Sequence, residues 1–108
     1  MIITELQSLL DGVQLVGAMP KMTVCMADGK CKRQTYSLWA HAHCRLGTRG
    51  RGRICFSRKG IERPWPEILH TLAHEVAHFR FPTAAHRSQR FKDATEQYFQ
   101  QFLGAPKA

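Results

Sequence analysis

The chain has 108 residues, a formal net charge of +8 at pH 7 and an apolar share of 44%, which is ordinary for a globular protein. This length accommodates one domain with one modest hydrophobic core, so we expect a single domain over residues 1–108. The sequence contains no run of about 18 or more apolar residues, and its first residues lack the basic region and cleavage site of a signal peptide. We therefore expect a cytoplasmic monomer with no membrane partner.

The first half of the chain predicts one helix followed by strands. Residues 2–10 carry apolar side chains at helical spacing, and Asp11-Gly12 ends that helix. Strands are predicted over residues 22–26, 36–45 and 53–58, with a glycine-rich turn at 47–52. Together these segments predict an α+β fold that begins with an N-terminal helix and a small three-stranded antiparallel sheet.

Residues 66–80 predict a second helix, and this helix carries the most informative motif. Apolar residues recur at helical spacing along it, Pro66 suits a first helical position, and Pro82 ends the run. Within it, residues 74–78 read His-Glu-Val-Ala-His, an H-E-x-x-H pentapeptide. A core helix with two hydrogen-bonded histidines and an exposed glutamate is the alternative interpretation.

The spacing of this motif suits a zinc-dependent hydrolase. His74 and His78 are four residues apart, so they share one face of a helix and can reach one metal ion. Glu75 lies about 100° around the helix from His74, where it can hold a water molecule without binding the metal. Zinc lowers the pKa of its water toward ~7, and a neighbouring carboxylate takes the proton. The motif predicts one Zn²⁺ per chain, with Glu75 as the catalytic residue.

A third metal ligand is required, and three residues are candidates. His86 follows Pro82, where a returning helix could present it, and three neutral imidazoles suit zinc well. Glu96 lies further along, in the next predicted helix. His70 precedes His74 by one turn and suits a role behind the ligands or toward the substrate. We favour His86. The metzincin pattern is excluded, because the chain lacks its glycine and its third histidine at the required positions.

A last helix is predicted over residues 88–103, with an apolar stripe facing the core and Gly104 as its cap. Hydrolysis also needs a hydrogen-bond donor for the negatively charged oxygen of the tetrahedral intermediate. His70, Arg87 and Tyr98 are the candidates for that donor, and the sequence does not choose among them.

Residues 52–102 resemble the SprT-like (Spartan-type) metallopeptidase domain and the related YgjP-like minimal metallopeptidases. Residues 53–57 resemble the strand of these families, residues 66–80 their metal helix, and residues 86–91 the segment that begins with the third histidine. Phe91 follows His86 by five residues, whereas the families place phenylalanine four after that histidine. The resemblance implies a minimal zincin, a zinc endopeptidase whose substrates are proteins associated with DNA. We expect no C-terminal zinc ribbon of the kind that many SprT-like proteins carry.

Positive charge is concentrated before the metal helix. Between Gly29 and Pro66 there are ten Lys or Arg residues and one acidic residue, Glu62. Arginine binds phosphate in a forked geometry, glycine allows close approach, and nearby Tyr36, Trp39 and Trp65 could stack on unpaired bases. We expect DNA binding, including single-stranded DNA, and association with the nucleoid. The candidate contact residues are Arg45, Arg49, Arg51, Arg53, Arg58 and Lys59. A basic surface that only keeps the protein soluble is the alternative.

The four cysteines, Cys25, Cys31, Cys44 and Cys55, show no C-x-x-C spacing. In a chain without an export signal we expect free thiols, with Cys55 in a strand core. A second zinc site, built from Cys25, Cys31, Cys44 and one of the histidines at 41 and 43, is an alternative, although these spacings match no zinc module.

The leading hypothesis is a zinc-dependent endopeptidase that acts on proteins near DNA. One rival is a nucleic-acid-binding module with a closed, structural zinc site. Another is a regulatory partner of a larger complex, without catalysis. Glu75 favours the endopeptidase, because neither rival role needs a carboxylate at that position.

Overall fold

The computed structural model describes residues 2–17, 21–26, 40–44, 51–81 and 86–105. These residues form an α+β fold in which four helices accompany one sheet. The elements, in chain order, are α1 (Ile2–Gly12), β1 (Lys21–Met26), β2 (Ala40–Cys44), β3 (Arg51–Phe56), α2 (Arg58–Ile61), α3 (Trp65–Arg80) and α4 (Gln89–Gly104). None of the helices in the described part of the chain combines the length and apolar character that a membrane span requires.

The sheet differs from the predicted antiparallel arrangement. Its strand order is β1-β3-β2, so β3 is the central strand. β2 pairs with β3 antiparallel, whereas β1 pairs with β3 in parallel. The prediction of a three-stranded antiparallel sheet is therefore wrong, although the α+β class agrees with the structure.

The physical reason is that strand composition indicates burial but not strand direction. Ile54, Cys55 and Phe56 of β3 are all fully buried, which suits a central strand. A parallel pair also needs a crossover connection of about a dozen residues or more, and residues 27–50, which include β2, provide it. The predicted strand over 53–58 is shifted, since Ser57 leaves the sheet and its Oγ accepts a hydrogen bond from the Gly60 amide at the start of α2.

α1 lies along the outer edge of β1 and satisfies part of that edge. The side chain of Gln7 donates to the Met22 carbonyl at 3.2 Å and accepts from the Val24 amide at 2.7 Å. One amide side chain thus makes the two hydrogen bonds that a further strand would make there, which protects an otherwise open edge. Leu6 and Leu10 of the same helix are buried in the core.

α3 is the most deeply buried helix and packs against both α4 and the sheet. Its apolar residues Ile68, Leu69, Leu72 and Val76 are almost completely buried, and they belong to the same cluster as the core residues of α4. The buried residues of α4 are Phe91, Ala94, Thr95, Tyr98 and Phe102. This packing fixes α3 against α4, and the predicted metal motif lies between them.

Candidate metal centre

His74 and His78 project from one face of α3, as their spacing predicts. Their Nε2 atoms are 3.2 Å apart, and their rings meet edge to face with centroids 4.8 Å apart. Both side chains are half-buried. The helical repeat alone explains this arrangement, because positions four apart lie one turn above each other on the same face.

His86 completes the group from the segment that precedes α4. Its Nε2 lies 3.0 Å from Nε2 of His78, and the ligand atoms of all three histidines lie within 4.8 Å of one another. In a tetrahedral site with metal–nitrogen bonds of ~2.0–2.1 Å, neighbouring ligand atoms are ~3.3 Å apart. The two nitrogen–nitrogen distances are close to that value, so His74, His78 and His86 could hold a metal ion. The side chain of His86 is exposed, which leaves one side of the group open.

The phenyl ring of Phe91 packs against all three imidazole rings. Its ring centroid is 5.0 Å from that of His74, 4.8 Å from that of His78 and 5.2 Å from that of His86. Phe91 itself is 2% exposed, and its amide donates to Oγ of Ser88, the N-cap of α4. The start of α4 therefore fixes the phenyl ring, and the ring in turn limits how far the histidines can move.

The electrostatic setting of His74 favours its neutral form. Burial, and to a lesser extent the positive charges of His86 and His70, lower the pKa of His74 from 6.5 to about 4. A neutral imidazole has a lone pair available for a metal ion at pH 7, whereas a protonated one does not.

Glu75 lies inside the molecule rather than on its surface. It is 5% exposed, although it is next in sequence to a half-buried metal-ligand candidate. The alternative of a core helix with an exposed glutamate at this position therefore does not describe the chain. A buried carboxylate on the helix that carries two of three converging imidazoles is a residue type that acid–base catalysis can use.

The other two candidates for the third ligand are not members of the group. The side chain of Glu96 is exposed and accepts a hydrogen bond from Nε2 of Gln100 at 2.9 Å. His70 is exposed, and its ring meets that of Phe99 edge to face at 5.1 Å. Among the described residues, the group of converging ligand atoms contains neither of them.

Tyr98 and Arg87, two of the three candidate oxyanion donors, lie in different surroundings. Tyr98 is completely buried, and its hydroxyl donates to the Val16 carbonyl at 2.7 Å, with Nη1 of Arg80 at 3.4 Å. This hydroxyl therefore joins α4 to the segment after α1. Arg87 is exposed and lies next to His86 in the chain.

The predicted nucleic-acid contacts are described only in part. Arg53, at the middle of β3, and Arg58 and Lys59, in α2, have exposed side chains. Arg45 and Arg49 lie outside the described residues, and for Arg51 the structure describes the backbone, which begins β3.

Gly52, in the same basic segment, has a packing role that the sequence did not indicate. A Cβ atom at this position would overlap the ring of Phe79 in α3. The missing side chain of Gly52 therefore allows the residue after His78 to pack closely against β3.

Comparison with known proteins gives no match: no family model fits this sequence, and no curated protein or solved structure is significantly similar to it.

Proposed function

We propose that this protein is a zinc-dependent endopeptidase of the SprT-like type that acts on proteins associated with DNA. One observation carries the proposal. The Nε2 atoms of His74, His78 and His86 converge, the next residue in sequence after His74 is the buried Glu75, and the exposed His86 leaves the group accessible from solvent.

The donor set favours zinc. Three imidazoles are the protein ligands of one common type of catalytic zinc site, which keeps a fourth position open for water or substrate. A closed structural site would need a fourth protein ligand, and among the described residues the group has three. When bound, zinc would lower the pKa of a water molecule and polarise the scissile carbonyl group.

Glu75 supplies the proton transfer in this proposal. Its carboxylate accepts a proton from the attacking water molecule and returns that proton to the leaving amine nitrogen. The carboxylate is buried on the metal helix, so bulk water competes little for its oxygen atoms.

His70 is the donor that we assign to the developing oxyanion. Tyr98 is removed from the three candidates, because its hydroxyl already donates to the Val16 carbonyl. Arg87 remains as the alternative. His70 is favoured because it lies on α3 one turn before His74, is exposed to solvent, and is held by an edge-to-face contact with Phe99.

The DNA part of the proposal is supported by charge. The chain carries 16 basic and 8 acidic residues, and three of the basic candidates, Arg53, Arg58 and Lys59, expose their side chains on the segment that leads into α3. Cationic side chains on a surface bind the phosphate backbone without requiring a particular sequence.

The decisive experiment compares Glu75→Gln with wild type. Both are loaded with zinc and incubated with a basic DNA-binding protein, with and without single-stranded DNA. We expect Glu75→Gln to bind the same amount of zinc and to cleave ~10²–10⁴-fold more slowly, because it loses the general acid–base residue. Glu96→Gln is the matched control and should cleave at the wild-type rate, since its side chain is exposed and outside the histidine group.

A triple variant with Ala at Arg53, Arg58 and Lys59 tests the role of DNA in the same assay. We expect it to cleave normally without DNA and to lose most of the stimulation by DNA. Equal cleavage by wild type and Glu75→Gln would contradict the peptidase proposal. Full stimulation of the triple variant would contradict these three residues as the DNA contacts.

A further inference from the structure

The end of α3 and the start of α4 carry basic residues that the histidine group does not use. Between Glu75 and Asp93 the chain has no acidic residue and four basic ones, Arg80, Arg87, Arg90 and Lys92. Arg80 is the last residue of α3 and follows His78 by two positions, so it lies about 200° around the helix from that ligand. Its side chain therefore leaves α3 away from the face that carries the metal ligands.

Two of these arginines pack against one aromatic ring. Cζ of Arg80 is 5.1 Å from the centroid of the Phe81 ring, and Cζ of Arg90, in the first turn of α4, is 5.6 Å from the same centroid. Attraction between each cation and the ring offsets part of the repulsion between the two guanidinium groups. An anion that binds both groups would offset the rest.

The guanidinium group of Arg80 is held in place by neutral groups. Its Nη1 donates to the hydroxyl of Tyr98 at 3.4 Å and to Oε1 of Gln97 at 3.5 Å. Gly17, with a φ of 92°, leaves room on another side, because a Cβ atom there would lie 3.3 Å from Nε of Arg80. This half-buried group is therefore positioned before any ligand arrives, which lowers the entropic cost of binding one.

Neither arginine has an ionic partner within the part of the chain that the structure describes. Among those residues, no carboxylate lies within ion-pair distance of Arg80 or Arg90. Asp93, the nearest acidic residue to Arg90 in sequence, accepts a hydrogen bond from Nε2 of Gln89 at 2.7 Å. An arginine without a carboxylate partner can offer its forked donors to two oxygen atoms of one phosphate group.

We propose that Arg80 and Arg90 together bind the phosphate backbone of DNA at the corner where α3 ends and α4 begins. This inference rests on the DNA part of the proposed function, and it adds a contact surface separate in sequence from Arg53, Arg58 and Lys59. The planar guanidinium matches phosphate in a forked geometry, and the net charge of +8 favours a polyanion as the ligand. Because both arginines flank one ring, they can reach neighbouring phosphates of one strand.

The salt dependence of DNA binding tests this surface. Affinity for a fluorescent single-stranded oligonucleotide is measured over a range of salt concentrations, with the zinc-loaded Glu75→Gln chain as the parent so that nothing is cleaved. Each lost phosphate contact should reduce the slope of log affinity against log salt by ~0.7. We expect that reduction in Arg90→Gln and about twice as much when Arg80→Gln is added. Arg80→Lys keeps the charge but not the fork, so it should bind more weakly than the parent at every salt concentration.

Lys92→Gln is the matched control, because it removes one exposed charge from the opposite flank of α4, about 160° around the helix from Arg90. It should keep the slope of the parent. An equal loss of slope in Lys92→Gln would overturn the proposal, since binding would then depend on total charge. Displacement of the oligonucleotide by an equally charged glutamate-rich peptide would overturn phosphate as the ligand.

Two further outcomes separate this inference from the proposed function. A chain that binds the oligonucleotide but is unaffected by Arg90→Gln would overturn the inference alone. A chain that does not bind the oligonucleotide at all would overturn both the inference and the DNA part of the proposed function. If circular dichroism shows that Arg80→Gln does not fold, Arg90→Gln decides the question, because the side chain of Arg90 is exposed. All of these measurements are independent of whether the histidine centre hydrolyses peptides.

Discussion

The α3–α4 pair and the sheet both bring reactive side chains together, histidines in one case and cysteines in the other, but they do so at different ranges of sequence. On the helices, His74 and His78 are four residues apart and His86 follows eight residues later. On the sheet, Cys25 of β1 and Cys55 of β3 are register partners across 30 positions, with their Sγ atoms 2.8 Å apart. One group depends on the helical repeat and a single reversal of the chain. The other depends on the register of two parallel strands, where a slip of one residue would move a cysteine to the opposite face.

This difference teaches that the histidine group and the cysteine pair should respond separately to perturbation. The histidine group is supported by Phe91 and by the packing of α3 on α4. The cysteine pair is supported by the pairing of β1 with β3, which Gln7 of α1 protects at its outer edge. A change in one support should leave the other site largely intact, unless the change lies where α3 contacts β3.

The largest expected effect is that of His78→Ala on metal affinity. Nε2 of His78 is 3.2 Å from that of His74 and 3.0 Å from that of His86, so its loss removes the central ligand. We expect zinc affinity to fall by more than the ~10–100-fold that is typical when only a group behind a ligand is lost. Competition with a chelator of known affinity measures this change.

His70→Ala is the control for that experiment, because His70 lies on the same face of α3 but outside the converging group. It should keep zinc affinity within about tenfold of the parent, since it does not belong to the ligand group and its proposed role is to donate to the oxyanion. Zinc should also raise the melting temperature of the parent and of His70→Ala, but not that of His78→Ala. If His78→Ala kept the parent affinity, His74, His78 and His86 would not be the ligand set.

The local range of the histidine group explains why the sequence could predict it. The H-E-x-x-H spacing, Pro66 near the start of the helix and the apolar face were sufficient to place residues 74–78 on α3, which spans Trp65–Arg80. The burial of Glu75 also follows from its position on a helix that packs on two sides. From the sequence, Phe91 could be predicted only as a member of an apolar stripe. Its contact with the three imidazoles could not be predicted, because a stripe does not indicate which rings a phenyl group will contact.

The sheet could be predicted only in part, because its pairing depends on long-range contacts. Alternating exposure along β1 and continuous burial in β3 do not determine whether two strands run in parallel. α2, with four residues, is too short for a periodic pattern, so the predicted third strand continued to Arg58, the first residue of α2. The proximity of Cys25 to Cys55 follows from the parallel register, and an antiparallel prediction could not reveal it. The expectation that Cys55 is a free thiol is wrong as well, because Cys55 takes part in a disulfide bond.

Gly52→Ala tests the place where the two regions are joined. A Cβ atom at this position overlaps the ring of Phe79, which follows His78 on α3. We expect a loss of ~1–3 kcal/mol in the free energy of unfolding, which is typical of overpacking, measured by urea denaturation of the metal-free chain. Gly12→Ala is the matched control, since nothing lies within 4 Å of a Cβ atom there.

A double variant shows whether the overlap with Phe79 is the cause. Phe79→Ala removes the obstructing ring, so Gly52→Ala should cost much less in that background than in wild type. Equal costs in both backgrounds would assign the effect to the backbone of β3 instead. A loss of zinc affinity in Gly52→Ala that the double variant restores would show that the sheet positions the metal helix through this contact.

The smallest expected effect is the dependence of stability on pH that His74 produces in the metal-free chain. Burial, together with the charges of His86 and His70, lowers its pKa from 6.5 to about 4 in the folded state. Between these two values the unfolded chain binds the proton more readily, so acid favours unfolding. The contribution of His74 to the free energy of unfolding is therefore fully present above pH 6.5. It decreases as the pH falls toward about 4 and does not change further below that pH. Because His74 is only half-buried, solvent screening reduces the size of this effect. Urea midpoints measured across this range should decrease less in His74→Gln than in wild type. Parallel pH curves for wild type and His74→Gln would show that the surroundings of His74 do not suppress its protonation.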